Sequence, residues 1–477
     1  MRSTRRGFLQ TTLAVSLGFR GLRASVLRAS SVPQDARATS LGPLVDDPKK
    51  LVDLPAAFSY RIVSTVGERM DDGFLVPGQP DGMGCFPSPD GRVILIRNHE
   101  LRAENKTKGP FGADNERWRR LPAGLAYDPG RGQSPCLGGT TTLVYNCKDR
   151  RLDRQYLSLA CTEYNCAGGP TPWGTWISCE ETVQRADEHY ERDHGYAFEV
   201  PAKADGRLAE PVPLKAMGRF RREAVAVEPK TSIVYQTEDR PDGLIYRFIP
   251  KRWGRLREGG RLQALSVRGR SSLDMRNWVN VITGRPISEK ISVGTRFQVK
   301  WIDVDDIQAP HDDLRLRGFQ SGAARFARAE GMWYGRSSIF FACTDGGRLR
   351  KGQIWRYMPS PNEGTSEEDA KPGELELFIE PNNPSLVENA DNLTVAPWGD
   401  VIACEDGPGT QYLVGVTPTG RIYKLARNAA NHSEFAGATF SPDGSTLFVN
   451  MQSAGLTFAI TGPWPALRGN GGQRKIR

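Results

Sequence analysis

The stretches Thr171-Pro172-Trp173-Gly174 and Ala396-Pro397-Trp398-Gly399 decide the fold of this 477-residue chain. Each is a proline-containing turn that leads into a short apolar strand. The first strand closes on Cys179-Glu180 and the second on Cys404-Glu405. Two unrelated strands would not share both the turn and the terminus, so the two stretches indicate an internal repeat.

Four further segments follow the same order of apolar residue, turn, apolar strand and closing carboxylate or amide. They close at Glu100, Asp239, Asp345 and Asn450. A single hairpin cannot bury its apolar face alone, and the chain lacks long windows of helical spacing. We therefore predict an all-β fold, a six-bladed β-propeller with inserted loops and short helices. Two separate β-sandwiches are the alternative.

The first thirty residues have the anatomy of an export signal. Ser3-Thr4-Arg5-Arg6-Gly7-Phe8-Leu9 matches the twin-arginine pattern, and a mildly apolar run follows it. We expect residues 1–30 to be a twin-arginine signal peptide and residues 31–477 to be one domain. The protein would then be periplasmic or secreted, with the twin-arginine translocase as its partner during export.

The charge of the chain is concentrated in that signal. Residues 1–30 hold six arginines and no acid, so their removal lowers the formal net charge from +9 to +3. A charge this small gives no argument for nucleic acid, and no second apolar run is long enough to span a bilayer. We expect a monomer that binds no nucleic acid and does not insert stably into membranes.

Eight cysteines are few for an exported chain of this length, so the core must carry the fold. Four of them lie close enough in sequence for disulfide pairing, with connectivity left open. They are Cys136, Cys147, Cys161 and Cys166.

The carboxylates that close the repeats carry the functional prediction. Equivalent strand ends of a propeller converge on one mouth of the central channel, where unpaired carboxylates would repel one another. Such a cluster requires metal ions or basic partners. Hard oxygen ligands favour calcium, and a thiolate among them favours a transition metal such as iron.

Several stretches resemble the PhoX-type alkaline phosphatases. The most specific is Gly168-Gly169-Pro170-Thr171-Pro172-Trp173-Gly174-Thr175-Trp176-Ile177-Ser178-Cys179-Glu180-Glu181. Others are Arg97-Asn98-His99-Glu100, Arg222-Glu223-Ala224, Arg328-Ala329-Glu330-Gly331, Ala390-Asp391-Asn392 and Glu434-Phe435-Ala436-Gly437. The resemblance covers most of the chain after residue 30.

The resemblance implies a six-bladed propeller that hydrolyses phosphate monoesters with a mixed iron and calcium cluster. It implies Cys179 as the thiolate ligand of iron, and Arg328 as the catalytic residue that faces the substrate phosphate. The implied metal carboxylates are Glu223, Glu330, Asp391 and Glu434, with Glu180 and Glu100 as further ligands and Asn98 as a substrate-binding residue.

A phosphomonoesterase of this kind would use a metal-bound oxo or hydroxide group as its nucleophile, because no Gly-x-Ser-x-Gly motif occurs in the chain. Two alternatives stay open. One is a calcium-dependent lactonase-like hydrolase without iron, and the other is a non-catalytic calcium-binding propeller.

Overall fold

Antiparallel β-strands make up most of residues 41–464, the part of the chain that the computed structural model describes. The expected signal peptide lies outside these residues. The strands in chain order are β1 (Leu44–Val45), β2 (Val52–Pro55), β3 (Ser59–Thr65), β4 (Pro80–Pro87), β5 (Val93–His99), β6 (Gly138–Asn146), β7 (Arg151–Thr162), β8 (Asn165–Pro170), β9 (Thr175–Glu180), β10 (Ala197–Pro201), β11 (Arg222–Val227), β12 (Val234–Glu238), β13 (Gly243–Pro250), β14 (Gly260–Val267), β15 (Arg296–Asp303), β16 (Arg325–Phe326), β17 (Ala329–Gly335), β18 (Ser338–Cys343), β19 (Gln353–Met358), β20 (Glu374–Ile379), β21 (Ala390–Val395), β22 (Val401–Glu405), β23 (Tyr412–Val416), β24 (Ile422–Asn428), β25 (Phe435–Phe440), β26 (Thr446–Met451) and β27 (Leu456–Thr461).

Helices are few and short in the described chain. The α-helix α1 (Leu314–Gln320) spans seven residues. The 3-10 turns are Lys106–Lys108, Trp118–Arg120, Gly130–Gly132, Lys215–Met217, Leu256–Glu258 and Glu368–Ala370. None of the helices among residues 41–464 is long and apolar enough to cross a membrane. The prediction of an all-β fold with short helices is confirmed.

Strands that follow one another in the chain pair with one another in the sheets. Strands β4–β7 form one sheet, β8–β10 a second, β21–β24 with β2 and β1 a third, and β25–β27 with β3 a fourth. The fifth sheet has ten strands, in which β15 joins the outer edge of β11–β14 to the outer edge of β17–β20. Local pairing of this kind is typical of propeller blades.

The first strands of these groups pack side by side around one axis. We call β4, β8, β11, β17, β21 and β25 the axial strands. Each contacts the next in chain order, and β25 contacts β4, so that the ring closes. The N-terminal β3 completes the sheet of β25–β27, with Tyr60 opposite Ile460. The arrangement is propeller-like, with early and late strands sharing one sheet.

The sequences of the strands follow from this packing. Because most sheets lie between two others, both faces of a strand are covered, and strands such as β5 and β18 are buried along their whole length. Where axial strands meet, only small residues fit. A Cβ added at Gly82 would lie 2.5 Å from the Cα of Ala167, and one added at Gly331 would lie 2.6 Å from the backbone oxygen of Asp391.

All eight cysteines lie among the described residues, and every one is a free thiol. This corrects the expectation that Cys136, Cys147, Cys161 and Cys166 could form disulfides. Cys166 lies on an axial strand, apart from the apolar cluster that holds Cys136 and Cys161, and none of the four thiols is joined to another.

Candidate metal centre

Every axial strand has a β-bulge near its start, and in five of the six strands the bulge aims a polar side chain at the axis. The ladder shifts register after the first or second residue of each of these strands. A bulge leaves an extra residue unpaired and re-aims its side chain. The residues at the shifted position are Asp81, Cys166, Glu223, Glu330, Asp391 and, in the last strand, Gly437. Five of the six positions thus carry a carboxylate or a thiol.

A second set of polar groups comes from the strands that follow five of the six axial strands. These lie where the sequence repeats close, and they line the same cavity as the first set. They are Glu100, Glu181, Asp239, Asp406 and Gln452. The prediction that the closing carboxylates converge on one mouth of the channel is confirmed for these four acids and is wrong for Asp345, which does not line the cavity.

Three of the repeats close on two consecutive acids, whose side chains point in opposite directions because side chains alternate along a strand. Glu181, Asp239 and Asp406 line the cavity, whereas the preceding glutamates are buried and accept backbone hydrogen bonds from the next strand or loop. The acceptor contacts are Glu180 with the amides of Gly195 (2.8 Å) and Tyr196 (3.1 Å), Glu238 with Leu244 (3.2 Å), and Glu405 with Tyr412 (3.1 Å). The first acid of a pair therefore fixes the backbone, and the second is available for chemistry.

The converging side chains form a series of overlapping ligand sets along the axis. In each set the candidate ligand atoms lie within 4.8 Å of one another. The sets are Asp81, Glu100 and Cys166; Cys166, Glu181 and Glu223; Glu223, Glu330 and Asp391; and Asp391, Asp406 and Glu434. We call these nine residues the axial cluster. Cys166, Glu223 and Asp391 each belong to two sets, which is an arrangement suited to several neighbouring cations.

Burial and mutual repulsion make this cluster costly without cations. Burial, with the nearby Asp391, raises the pKa of Asp81 to about 8, and burial, with Asp81, raises that of Glu100 to about 8. The pKa values of Glu223 and Glu330 are also raised well above their usual range, first by burial and then by neighbouring carboxylates. Charged acids in this position need positive partners.

Unpartnered oxygen atoms point to what those partners are. Within the described chain, both carboxylate oxygens of Glu223 and Oδ1 of Asp391 are buried without a hydrogen-bond donor. Buried polar atoms are almost always paired in proteins, so these oxygens fit direct ligation of metal ions. The donor set of carboxylates with one thiol suits hard cations together with a transition metal.

We expect the metal-free protein to lose stability as the pH rises. The folded-state pKa values of Asp81 and Glu100 lie far above the unfolded values of about 4, so the folded state binds these protons more tightly. The stability that these two groups contribute is fully present below pH 4 and is lost as the pH rises towards 8. Melting temperatures of chelator-treated protein between pH 5.5 and 8 check this. A decline that calcium does not suppress would contradict the role assigned to the cluster.

Arg328 lies at the mouth of the cavity beside two of the acids. Its Nε donates to Oδ1 of Asp239 at 3.0 Å, and its Nη2 donates to Oε1 of Glu330 at 2.6 Å. The negative charge of Glu330 raises the pKa of Arg328 above its usual value. Burial opposes this effect, and the nearby Asp239 adds to it. The guanidinium is therefore a permanent positive charge held at the rim of the axial cluster.

Of the residues predicted from the sequence, six come together in this cavity or the axial cluster. They are Glu100, Glu223, Arg328, Glu330, Asp391 and Glu434. Three do not, and these are Asn98, Cys179 and Glu180.

The structure places the thiol of Cys179 away from the cluster. Its side chain is fully buried in an apolar core with Ile177, Ala197 and Val225. Cys179 is on β9, the second strand of its sheet, whereas Cys166 is on the axial strand β8. The structure therefore does not support Cys179 as the predicted thiolate ligand, and it places Cys166 among the candidate ligands instead. Glu180 is likewise occupied, since its Oε1 lies 2.7 Å from Nδ1 of His194.

Asn98 lies behind the cluster and holds the strand that carries the thiol. Its Nδ2 donates to the backbone oxygen of Ala167 at 2.6 Å and of Cys166 at 3.2 Å. Its Oδ1 accepts from Trp176 Nε1 and Ser178 Oγ, both at 2.9 Å. All four contacts are within the protein, so Asn98 positions Cys166 and does not face a substrate.

Sequence reasoning missed Asp81, Cys166, Glu181, Asp239 and Asp406 as individual ligands. The sequence does contain a pattern that marks the candidate ligands on five of the axial strands. In each, the ligand precedes a small or short residue, as in Asp81-Gly82, Cys166-Ala167, Glu223-Ala224, Glu330-Gly331 and Asp391-Asn392. The small residue is needed because the axial strands approach closely at that point.

The fold and the site are those of a propeller-like all-β protein whose axial channel is lined with carboxylates and a thiol, a set of donors suited to metal ions. The comparison with known proteins narrows the class. The chain belongs to the alkaline phosphatase PhoX family, whose profile matches residues 39–455. As a member of that family it is a phosphatase, and the resemblance noted in the sequence is confirmed.

A solved structure shares the fold. The Pseudomonas fluorescens PhoX in complex with vanadate, a transition state analogue, superposes with a TM-score of 0.62 at 18% identity, covering 88% of this chain and 97% of that one. A gluconolactonase from Xanthomonas campestris scores 0.40 at 12% identity, with 89% and 98% covered. Its score is too low to support an inference. No match was found among curated protein sequences.

Proposed function

We propose that this protein is an exported phosphomonoesterase with six blades and an axial cluster of iron and calcium. The observation that carries the proposal is the axial cluster itself, in which nine candidate ligands, all but Asp406 buried or half-buried, converge below an arginine. Family membership supplies the reaction class, and the cluster supplies the place where it occurs.

The number of blades follows from how the ten-stranded sheet is divided. Strand β15 pairs both with β14 and with β20, and this edge contact merges two units that each have their own axial strand. If β11–β14 and β17–β20 are counted as separate blades, the six axial strands define six blades. The closed ring of axial strands supports this count.

The types of donor atom in each ligand set indicate which metal that set would hold. Cys166 is the thiol of the cluster, so the sets that contain it would hold iron, with Asp81, Glu181 and Glu223 as neighbouring carboxylates. The sets around Asp391 and Glu434 contain only carboxylates and would hold calcium. When bound, the metals would supply Lewis-acid charge and activation of the attacking group.

The protein's own groups bind and orient the ester. A planar guanidinium matches two phosphate oxygens, so Arg328 would take the non-bridging oxygens of the substrate at the mouth. Its contacts with Asp239 and Glu330 fix the direction of the fork before substrate arrives. Charge that spreads over the phosphoryl oxygens during transfer would then be met by a preorganised cation.

The lining of the cavity also limits the choice of nucleophile. No serine, threonine or histidine is among its described lining residues. Cys166 and most carboxylates of the lining would be engaged by the metal ions, so the attacking group would come from solvent.

Export by the twin-arginine route is part of the proposal. It rests on the sequence of residues 3–9 and agrees with a cluster that needs a folded chain to bring its ligands together. The protein would acquire its metals before it crosses the membrane and would act in the periplasm on small phosphate esters.

The test is to express the chain with its own signal, purify it from the periplasm, and measure metal content together with hydrolysis of p-nitrophenyl phosphate. We expect iron, calcium and activity in the periplasm, and retention of the protein in the cytoplasm when Arg5 and Arg6 are both replaced by lysine. Calcium without iron or phosphatase activity would instead favour the lactonase-like or the non-catalytic alternative.

A further inference from the structure

The mouth of the cavity carries four cationic side chains, and their partners differ. Arg328 contacts Asp239 and Glu330, and Arg221 donates to Oε1 of Glu181 at 2.5 Å. These two cations are thus paired with acids of the cavity.

The other two cations, Arg102 and Lys108, are on the loop that follows β5. Neither has a carboxylate oxygen within 4 Å among residues 41–464. The guanidinium of Arg102 instead stacks over the ring of Tyr164, with its central carbon 3.6 Å from the ring centroid. Lys108 donates from Nζ to Oε1 of Gln79 at 2.8 Å. Both side chains line the cavity, and neither forms an ion pair with an acid in direct contact.

Tyr164, whose ring lies beneath Arg102, is held in place relative to the axial cluster. The backbone amide of Tyr164 donates to the oxygen of Leu101, and its backbone oxygen accepts from Glu181, both at 2.9 Å. Tyr164 has a φ of 54°, in the left-handed region, which these two bonds maintain. Arg102 therefore rests on a residue that connects directly to a ligand of the cluster.

The loop itself is also held in place. The amide of Arg102 donates to Oδ1 of Asn105 at 2.8 Å, and the backbone oxygen of Lys108 accepts from the amide of Gly78 at 2.8 Å. The cations are thus presented on an ordered loop. Holding them in place before binding lowers the entropy cost of engaging a ligand.

The cavity is large enough for more than one anionic group. Its volume is about 440 Å³, within the range of small-molecule sites. Arg328 and the axial cluster account for one phosphate. We propose that Arg102 and Lys108 form a second anion subsite, so that the preferred substrates are phosphate esters that carry another negative group, a carboxylate or a second phosphate. This inference rests on the proposed function and specifies its substrate class.

A rival explanation is that these cations only balance the charge of the acids below them. The two explanations differ in specificity. General charge balance affects every ester alike, whereas a subsite affects only esters with the second anion. Charge-assisted hydrogen bonds to a carboxylate are strong enough to change affinity by about tenfold.

Two matched esters test the subsite. 3-Phosphoglycerate and glycerol 3-phosphate differ only by a carboxylate in place of a hydroxymethyl group. We expect kcat/KM of the wild type to favour 3-phosphoglycerate about tenfold, and this ratio to approach one in Arg102→Ala and to fall in Lys108→Ala. Lys290→Ala, which removes an exposed positive charge away from the cavity, should keep the wild-type ratio.

A binding measurement separates failure of the subsite from failure of the proposed function. 3-Phosphonopropionate and propylphosphonate are not hydrolysed as esters, and they differ by a carboxylate in place of a methyl group. Calorimetry should show tighter binding of 3-phosphonopropionate to the metal-loaded wild type and loss of that preference in Arg102→Ala. Equal affinities would overturn the subsite. If the wild type prefers 3-phosphonopropionate, Arg102→Ala loses that preference and the protein hydrolyses no phosphate ester, then the subsite stands and the proposed phosphomonoesterase activity is refuted.

Discussion

Replacing Cys166 by serine is expected to remove the transition metal and to lower kcat/KM by at least about a hundredfold, since even groups that merely support metal ligands contribute about 10–100-fold. Cys166 is the thiol on the axis, and it belongs to two ligand sets with Asp81, Glu100, Glu181 and Glu223. Serine preserves the size of the side chain, but its hydroxyl is a poor substitute for a thiolate on iron.

Cys179→Ser is the matched control for this prediction. Cys179 is also fully buried, but it lies in an apolar core, so its replacement should cost about 1–3 kcal/mol of stability through an unpaired hydroxyl. Metal content should be unchanged. Iron analysis and the visible absorption of a ferric thiolate measure the outcome in both variants. Loss of iron in Cys179→Ser with iron retained in Cys166→Ser would refute the ligand assignment.

Arg328→Ala is expected to lower kcat/KM for p-nitrophenyl phosphate by about a thousandfold, the loss typical of removing an arginine that stabilises a transferring phosphoryl group. The change also leaves Asp239 and Glu330 without their contact at the mouth. Both effects act on the same step, because a phosphate that approaches the cavity would meet uncompensated carboxylates.

Arg328→Lys separates these two contributions. Lysine keeps the positive charge near Asp239 and Glu330 but loses the planar fork, so we expect an intermediate loss together with weaker inhibition by inorganic phosphate. Metal content should match the wild type in both variants. If Arg328→Ala retained full activity and full inhibition by phosphate, the residue would have no role in binding the substrate.

Much of the architecture could be predicted from the repeated turns. The two Pro-Trp-Gly turns and the carboxylates that close the strands predicted a propeller-like all-β fold with acids converging on the axis. The structure confirms both, through the ring of axial strands and through Glu100, Glu181, Asp239 and Asp406 at the cavity. The reason is that strand periodicity and turn chemistry are local properties, which a repeat displays several times over.

Single ligands were predicted less accurately from the sequence than the architecture was, as the two Cys-Glu pairs illustrate. The pairs at Cys179 and Cys404 stood out because they repeat, yet both thiols are fully buried on second strands outside the ligand sets. The repeat marks a position that packs between sheets. The thiol that does belong to the ligand sets, Cys166, lies in an axial strand that resembles the other axial strands only in having a polar or thiol residue followed by a small or short one.

Strand content, turns and an acid-rich channel were predictable from the amino-acid sequence alone, because these features depend on residue type and short-range spacing. Only the tertiary structure decided which side chains enter the channel. A shift of one residue turns a strand's side chains to the opposite face, and the bulges that set this register in β4, β8, β11, β17, β21 and β25 form only when each strand pairs with its neighbour.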